Sequence, residues 1–289
     1  MLYLQYLVFG LVTGCILLMG SVGFSMIQRL DNFMNLTHGM MIALAAFLAW
    51  FLYTTVKLPL LVAAVIVIIF IAAFTWAQYK VVFSPIRKAG ATMLLFTSVG
   101  LSFMINGAME GIFGATPKSI NIGMPRQFFI GDQPILSSID LIIIILAIVC
   151  AVGLHLFLTR TRMGIAVRAM SSQFDLARVR GINTESVAAV VWAIAGALAA
   201  VAGILYGLKG TVYTDMGWTI ILLVLSAATV GGMGSVYGVM VGSLIIGVIM
   251  DMSVIWINPA YRPAMAFVVI ILMLLLRPQG IFGGGRSRG

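Results

Sequence analysis

The chain has 289 residues, of which 62% are hydrophobic and only 9% charged. A soluble domain averages roughly 45–50% apolar and about 25% charged residues, so a soluble fold of this size would lack the polar residues to coat its surface. Soluble enzymes, disordered chains and secreted disulfide scaffolds are excluded. The excess of 17 Lys and Arg over 8 Asp and Glu must first be weighed against the gathering of basic residues in cytoplasmic loops.

A helix crossing about 30 Å of hydrocarbon needs roughly 20 apolar residues. The apolar runs here are 4–27, 38–56, 58–79, 89–113, 139–158, 186–208, 218–230, 236–257 and 263–276. They are too long, and alternate too little, for the strands of a barrel. The expectation is an all-α polytopic membrane protein of eight or nine transmembrane helices, in one domain spanning 1–289. The seventh and ninth runs are short, and Gly231-Gly232-Met233-Gly234 interrupts the chain between the seventh and eighth. One span therefore reads as broken or re-entrant, as in transporters. The first basic residue is Arg29, so the N-terminus lacks the charged start of a secretory signal. Cys15 and Cys150 both lie in apolar runs, which gives no disulfide framework or metal cluster.

With nine spans and the stretch 159–185 in the cytoplasm, twelve of the 17 basic residues fall inside. This predicts an N-terminus outside and a C-terminus inside, and accounts for the positive charge without nucleic acid. The external loop 114–138, with Pro117, Pro125 and Pro134, either docks something or caps the bundle. Gly10 and Gly14, Gly107 and Gly111, Gly203 and Gly207, and the series Gly234, Gly238 and Gly242 share a four-residue spacing. Small residues so spaced let membrane helices approach closely, and packing is the role expected of them.

The cytoplasmic loop 159–186 is the most informative. Ala166, Ala169, Met170 and Phe174 fall at helical spacing, with Arg162 and Arg168 on other faces. Asp175 is placed to cap a second short turn over 176–180, Gly181 to end it in the left-handed conformation, and Asn183 or Thr184 to start the next span. A helix–turn–helix elbow at the membrane surface results. Composition alone leaves a second reading open, a basic loop lying on anionic lipid.

Arg168-Ala169, Asp175 and Gly181-Ile182-Asn183 resemble the coupling loop of permease subunits in bacterial ATP-binding-cassette importers, as found in the branched-chain amino acid permease family. Four further segments are similar to that family in the same order. These are Asn35-Leu36-Thr37-His38-Gly39, Pro85-Ile86-Arg87-Lys88 with Ser98-Val99-Gly100-Leu101-Ser102, the Gly231–Ser235 segment with Gly238 and Gly242, and Arg277-Pro278-Gln279-Gly280-Ile281-Phe282-Gly283. Leu36, Thr37, Tyr237 and Leu223 depart from the family pattern; Leu223 stands near where many members carry Lys.

The resemblance implies a permease subunit in the bacterial inner membrane, moving a small polar solute, with branched-chain amino acids as the first expectation. It implies an external solute-binding protein, a second homologous permease subunit and two ATPase subunits that carry ATP and magnesium. No phosphate-binding loop of the form G-x-x-x-x-G-K-[ST] occurs here, so this chain is expected to bind no cofactor. Arg168, Ala169, Asp175 and Gly181 are the expected coupling residues. Asn106, Glu110 and Asp251 are candidates for the solute path because ionisable and polar groups in apolar runs are costly to retain. His38 is expected to be a structural hydrogen-bonding residue beside Asn35. No catalytic motif is present: His38 and His155 are isolated, and Gly234-Ser235 has no evident base. A passive channel or facilitator for urea or a short amide is the competing reading, and the elbow, which a channel does not need, separates the two.

Overall fold

The computed structural model describes residues 2–123, 125–130, 133–277 and 279–282, with only the backbone at residues 130, 133, 134 and 175. The tail arginines 286 and 288, and positions 278 and 283 of the closing segment, lie outside the described residues.

Each apolar run forms a helix. In chain order they are α1 (Leu2–Asp31), α2 (Thr37–Trp50), α3 (Leu60–Gln78), α4 (Ala91–Phe113), α5 (Ser138–Arg160), α6 (Arg162–Ser172), α7 (Phe174–Val179), α8 (Thr184–Lys209), α9 (Met216–Gly231), α10 (Val236–Ser253) and α11 (Arg262–Leu276). Among the described residues eight helices are long and apolar enough to cross a membrane, and α9 is a shorter apolar helix. Strand content is slight. β1 (Lys118–Ser119) pairs with β4 (Thr211–Val212), and β2 (Gln127–Ile130) pairs with β3 (Gln133–Ser137), both antiparallel.

Helices α1 and α8 form the centre, and α3, α4, α5 and α11 form a rim with exposed apolar side chains such as Leu61, Phe96, Ile148 and Leu275. A largely apolar rim of helices is what lipid tolerates, because a helix pairs its interior backbone groups within itself. The centre is held by close approach. A Cβ on Gly10 would lie 2.6 Å from the Val248 Cα, and one on Gly14 would lie 2.8 Å from the Leu244 Cα, so α1 and α10 touch backbone to backbone. Apolar burial does not drive helix association in lipid; dispersion at such seams does. Gly203 faces the Ile42 carbonyl, Gly207 faces Val212 and Ile120, Gly238 faces the Gly231 carbonyl, and Gly242 faces the Ala227 carbonyl.

Three glycines in the four-residue series do not pack. Gly234 has φ +106° in the turn between α9 and α10, with open space where a Cβ would go. It serves backbone conformation instead. Gly107 and Gly111 face open space on α4.

Two helices begin part-way along their neighbours. The His38 ring, in the first turn of α2, meets the Gly20 carbonyl at 2.9 Å near the middle of α1. Thr37 Oγ1 donates to the Ser98 carbonyl at 2.9 Å, and the Asn35 side chain accepts from the Thr37 amide at 3.2 Å. Residues 32–36 thus descend into the bundle before α2 starts. At α9, Asp215 accepts from the Asn106 amide at 3.3 Å, about two turns before the end of α4. The starts of α2 and α9 lie side by side, with Gly39 against the Gly217 carbonyl. The break at Gly231–Gly234 is partly satisfied within the chain. Its last carbonyls, of Val230 and Gly231, accept from Ile281 and Phe282 at 2.9 and 3.2 Å, and Ser235 caps α10 through the Gly238 amide.

Candidate functional site

At one end of the bundle α6 and α7 form the elbow. Thr161 caps α6 by accepting from the Gly164 amide at 2.9 Å. Gly164 lies against the Phe157 carbonyl, where any Cβ would clash, so α6 folds back directly from α5. The inward stripe of α6 is Gly164, Val167 and Met170 rather than the expected Ala166, Ala169 and Met170; the two alanines are half-buried. Gly181, at φ +81°, ends α7, with the Ile182 amide donating to the Ala177 carbonyl. This is the left-handed glycine stop that such a helix end favours.

The start of α7 differs from expectation. The helix begins at Phe174, so Gln173 holds the cap position and Asp175 lies inside the first turn; its side chain is outside the described residues. Asn183 caps α8 by accepting from the Ser186 amide. Arg168 is exposed beside Arg29, Ser171 and Tyr237 around a small cavity of about 80 Å³. Ala169, Gln173, Leu176 and Arg180 line an open groove of about 260 Å³ across the elbow.

Besides the apolar packing of α6, a guanidinium ties the elbow to the bundle. Arg87 lies 4.5 Å over the Phe174 ring and pairs with Asp31, the last residue of α1, at 2.6 Å. Trp192 of α8 donates to the same carboxylate at 2.8 Å, and Arg87 reaches the Tyr79 hydroxyl and the Leu30 carbonyl at 3.4 Å. Phe33, Phe83 and Tyr79 pack on Trp192. The Asp31 side chain is 3% exposed and that of Arg87 22%, so the acid is buried and its cation largely so.

The opposite end holds a cavity of about 370 Å³ between α1, α8, α9, α10 and α11. Lys209 and Arg262 line it together with Thr13, Thr219, Tyr206, Leu17, Leu223 and Met250. Each cation has a paired acid. Lys209 pairs with Asp140 at 2.7 Å, and Arg262 pairs with Asp251. Thr13 donates to Asp251 at 2.7 Å and accepts from Arg262 at 2.8 Å. Ser137 and Asp140 form a reciprocal cap at the start of α5, which fixes the carboxylate. Nearby, residues 118–120 of the loop lie on the bundle: β1 pairs with β4, Ile120 is buried, and Lys118 lies 5.1 Å over the Trp50 ring.

Of the sequence candidates, only Asp251 belongs to this cavity, through Arg262. Asn106 is bonded to Asp215, and Glu110 is exposed one turn further along α4, away from this cavity's lining. His38 is fully buried. Lys209, Arg262, Asp140 and the Asp31–Arg87 pair were not singled out by sequence. The available signal was scarcity: the chain has only eight acidic residues, four of which are ion-paired among the described residues, and an acid next to a long apolar run needs a cation.

A sequence profile described as branched-chain amino acid transport system / permease component matches residues 6–276. The chain belongs to this family. Among curated relatives, the high-affinity branched-chain amino acid transport system permease protein BraD of Pseudomonas aeruginosa is 29% identical over 97% of this chain and 96% of its own length. The corresponding permease protein LivH of Escherichia coli is 27% identical over the same shares. Among solved structures, PsaBC from Streptococcus pneumoniae shares the fold, with a TM-score of 0.52 and 13% identity, covering 95% of this chain and 92% of that one. The protein is thus a multi-pass permease component of this transport family, and the elbow and the cavity are features of such a permease.

Proposed function

We propose that this chain is one transmembrane subunit of an ATP-driven importer of branched-chain amino acids. The elbow faces the cytoplasm and receives two separate ATPase subunits, which carry the nucleotide and magnesium. The cavity faces outward, toward a solute-binding protein, and a second homologous permease completes the pathway. Nine crossings, with the N-terminus outside, fit the distribution of basic residues. Arg168, Ala169, Asp175 and Gly181 form the coupling surface. The observation that carries the reading is the match to the permease family over residues 6–276, joined to an elbow that a passive pore would not require.

In this reading the Arg87 cluster gives the elbow a mechanical connection. A push on α7 reaches Arg87 through Phe174, and Arg87 holds the end of α1 just before the chain dips to start α2. The test is purification in mild detergent followed by reconstitution. Co-purification of an ATPase and a second permease, and leucine uptake that needs ATP and the binding protein, are expected. Downhill flux in liposomes holding this chain alone, indifferent to nucleotide, would overturn the reading in favour of a channel.

A further inference from the structure

The paired charges in the cavity differ in how much of each partner is exposed. The Lys209 and Arg262 side chains are 32% and 36% exposed, while Asp140 and Asp251 are 7% and 5% exposed. In each pair the cation is the more exposed partner, and both cations line the cavity. Leu17, Leu223 and Met250 give the same cavity an apolar part of its wall. A concave apolar space with a few convergent polar groups is the usual form of a small-molecule site.

We propose that this cavity is a carboxylate-recognition site for a small aliphatic amino acid. Lys209 and Arg262 take the carboxylate, and the alkyl side chain rests on Leu17, Leu223 and Met250. The proposal rests on the function given above and assigns that function its solute contacts.

The chemistry sets both the selectivity and the strength of binding. A carboxylate accepts charge-assisted hydrogen bonds from a guanidinium fork and an ammonium, whereas urea or an amide presents no matching charge. The paired acids keep each cation compensated while the cavity is empty, which avoids the cost of an unpaired charge in a partly dry site. They also share the cations with an arriving carboxylate, so the solute is held without being trapped. Leu223 keeps its part of the wall apolar. The hydroxyls of Thr219 and Tyr206 remain in the wall as partners for the amino group.

The test uses the complete importer in proteoliposomes with its binding protein and a diazirine analogue of leucine that keeps the carboxylate. Irradiation during ATP-driven turnover should label Leu223, Met250 or their immediate neighbours, and excess leucine should abolish the label. Two charge-neutral double variants follow, Lys209→Gln with Asp140→Asn and Arg262→Gln with Asp251→Asn. Each leaves no orphaned acid, and each should raise the KM for leucine uptake about tenfold or more, as loss of a charge-assisted hydrogen bond implies. Because the labelling uses the unsubstituted protein, a folding defect in either variant does not remove the test. Label confined to other helices, or an unchanged KM in both variants, overturns the cavity assignment while leaving the importer function standing. Absence of leucine uptake by the unsubstituted importer overturns both.

Discussion

The two ends of the bundle use the same chemistry, an aspartate with a cation, in opposite surroundings. At the elbow end Asp31 is enclosed by Arg87, Trp192 and an aromatic cluster, and Arg87, 22% exposed, is partly covered by the Phe174 ring. At the far end the cations of the Asp140–Lys209 and Asp251–Arg262 pairs line open space. A largely buried pair is shielded from alternative partners, so it behaves as a rigid link between the elements it joins. An open pair is hydrated on one side and can be shared with a passing group. The difference fits a joint at one end and a solute site at the other.

The largest effect should come from the buried pair. Arg87→Ala leaves the Asp31 carboxylate without its cation, and breaking one side of a buried pair typically costs about 3–5 kcal/mol. Unfolding in mixed detergent micelles would measure it, and Arg87→Ala combined with Asp31→Asn should recover a large part of the loss. A single-variant loss below about 1 kcal/mol, the level of an exposed pair, would erase the distinction between the ends.

Next in size is the elbow itself. Gly181→Pro cannot hold φ +81°, since proline fixes φ near −65°, and it also removes the amide that donates to the Arg178 carbonyl. The protein should insert and be expressed normally, yet ATP-driven uptake in vesicles should be lost. Arg168→Glu, which reverses charge on the exposed coupling face, should give the same phenotype without altering the backbone. Normal uptake by both variants would remove the elbow from the mechanism.

How much of this could be read beforehand depends on the range of the determining interaction. Helices appear wherever the apolar run is long, because lipid leaves a buried backbone no other way to pair its polar groups. The Gly181 stop and the Asn183 cap were legible because they need only neighbouring residues. The depth at which α2 begins was not, since it is set by Ser98, about sixty residues away in sequence. Glycine spacing names a helix face but not what faces it: Gly242 meets the Ala227 carbonyl, while Gly107 and Gly111 meet nothing. Lys209 and Arg262 enter the sequence reading only as loop charges. Their role appears once Asp140, 69 residues before Lys209 in the chain, is brought beside it.

A moderate effect is expected at the contact between elbow and joint. Phe174→Leu keeps an apolar side chain at the start of α7 but removes the ring under Arg87, and a cation–π contact contributes about 0.5–2 kcal/mol depending on exposure. The Asp31–Arg87 pair stays intact, so stability should fall far less than in Arg87→Ala. Uptake per ATP hydrolysed should drop severalfold, measured as the ratio of the two rates in proteoliposomes. An unchanged ratio would show that the elbow reaches the bundle by another route.

The smallest effect sharpens the comparison most. Lys80 and Glu185 pair at 2.7 Å, as close as Lys209 and Asp140 and nearly as close as Arg87 and Asp31, but their side chains are 36% and 57% exposed. If separation governed the contribution, all three pairs would rank together. If exposure governs it, water and salt screen this pair and the ordering of two long side chains offsets the remainder. Glu185→Gln should therefore leave the unfolding midpoint in detergent unchanged within error at physiological salt, with at most a slight shift at low ionic strength. A loss approaching that of Arg87→Ala would mean that the elbow end is held by a distributed charge network rather than by one enclosed pair.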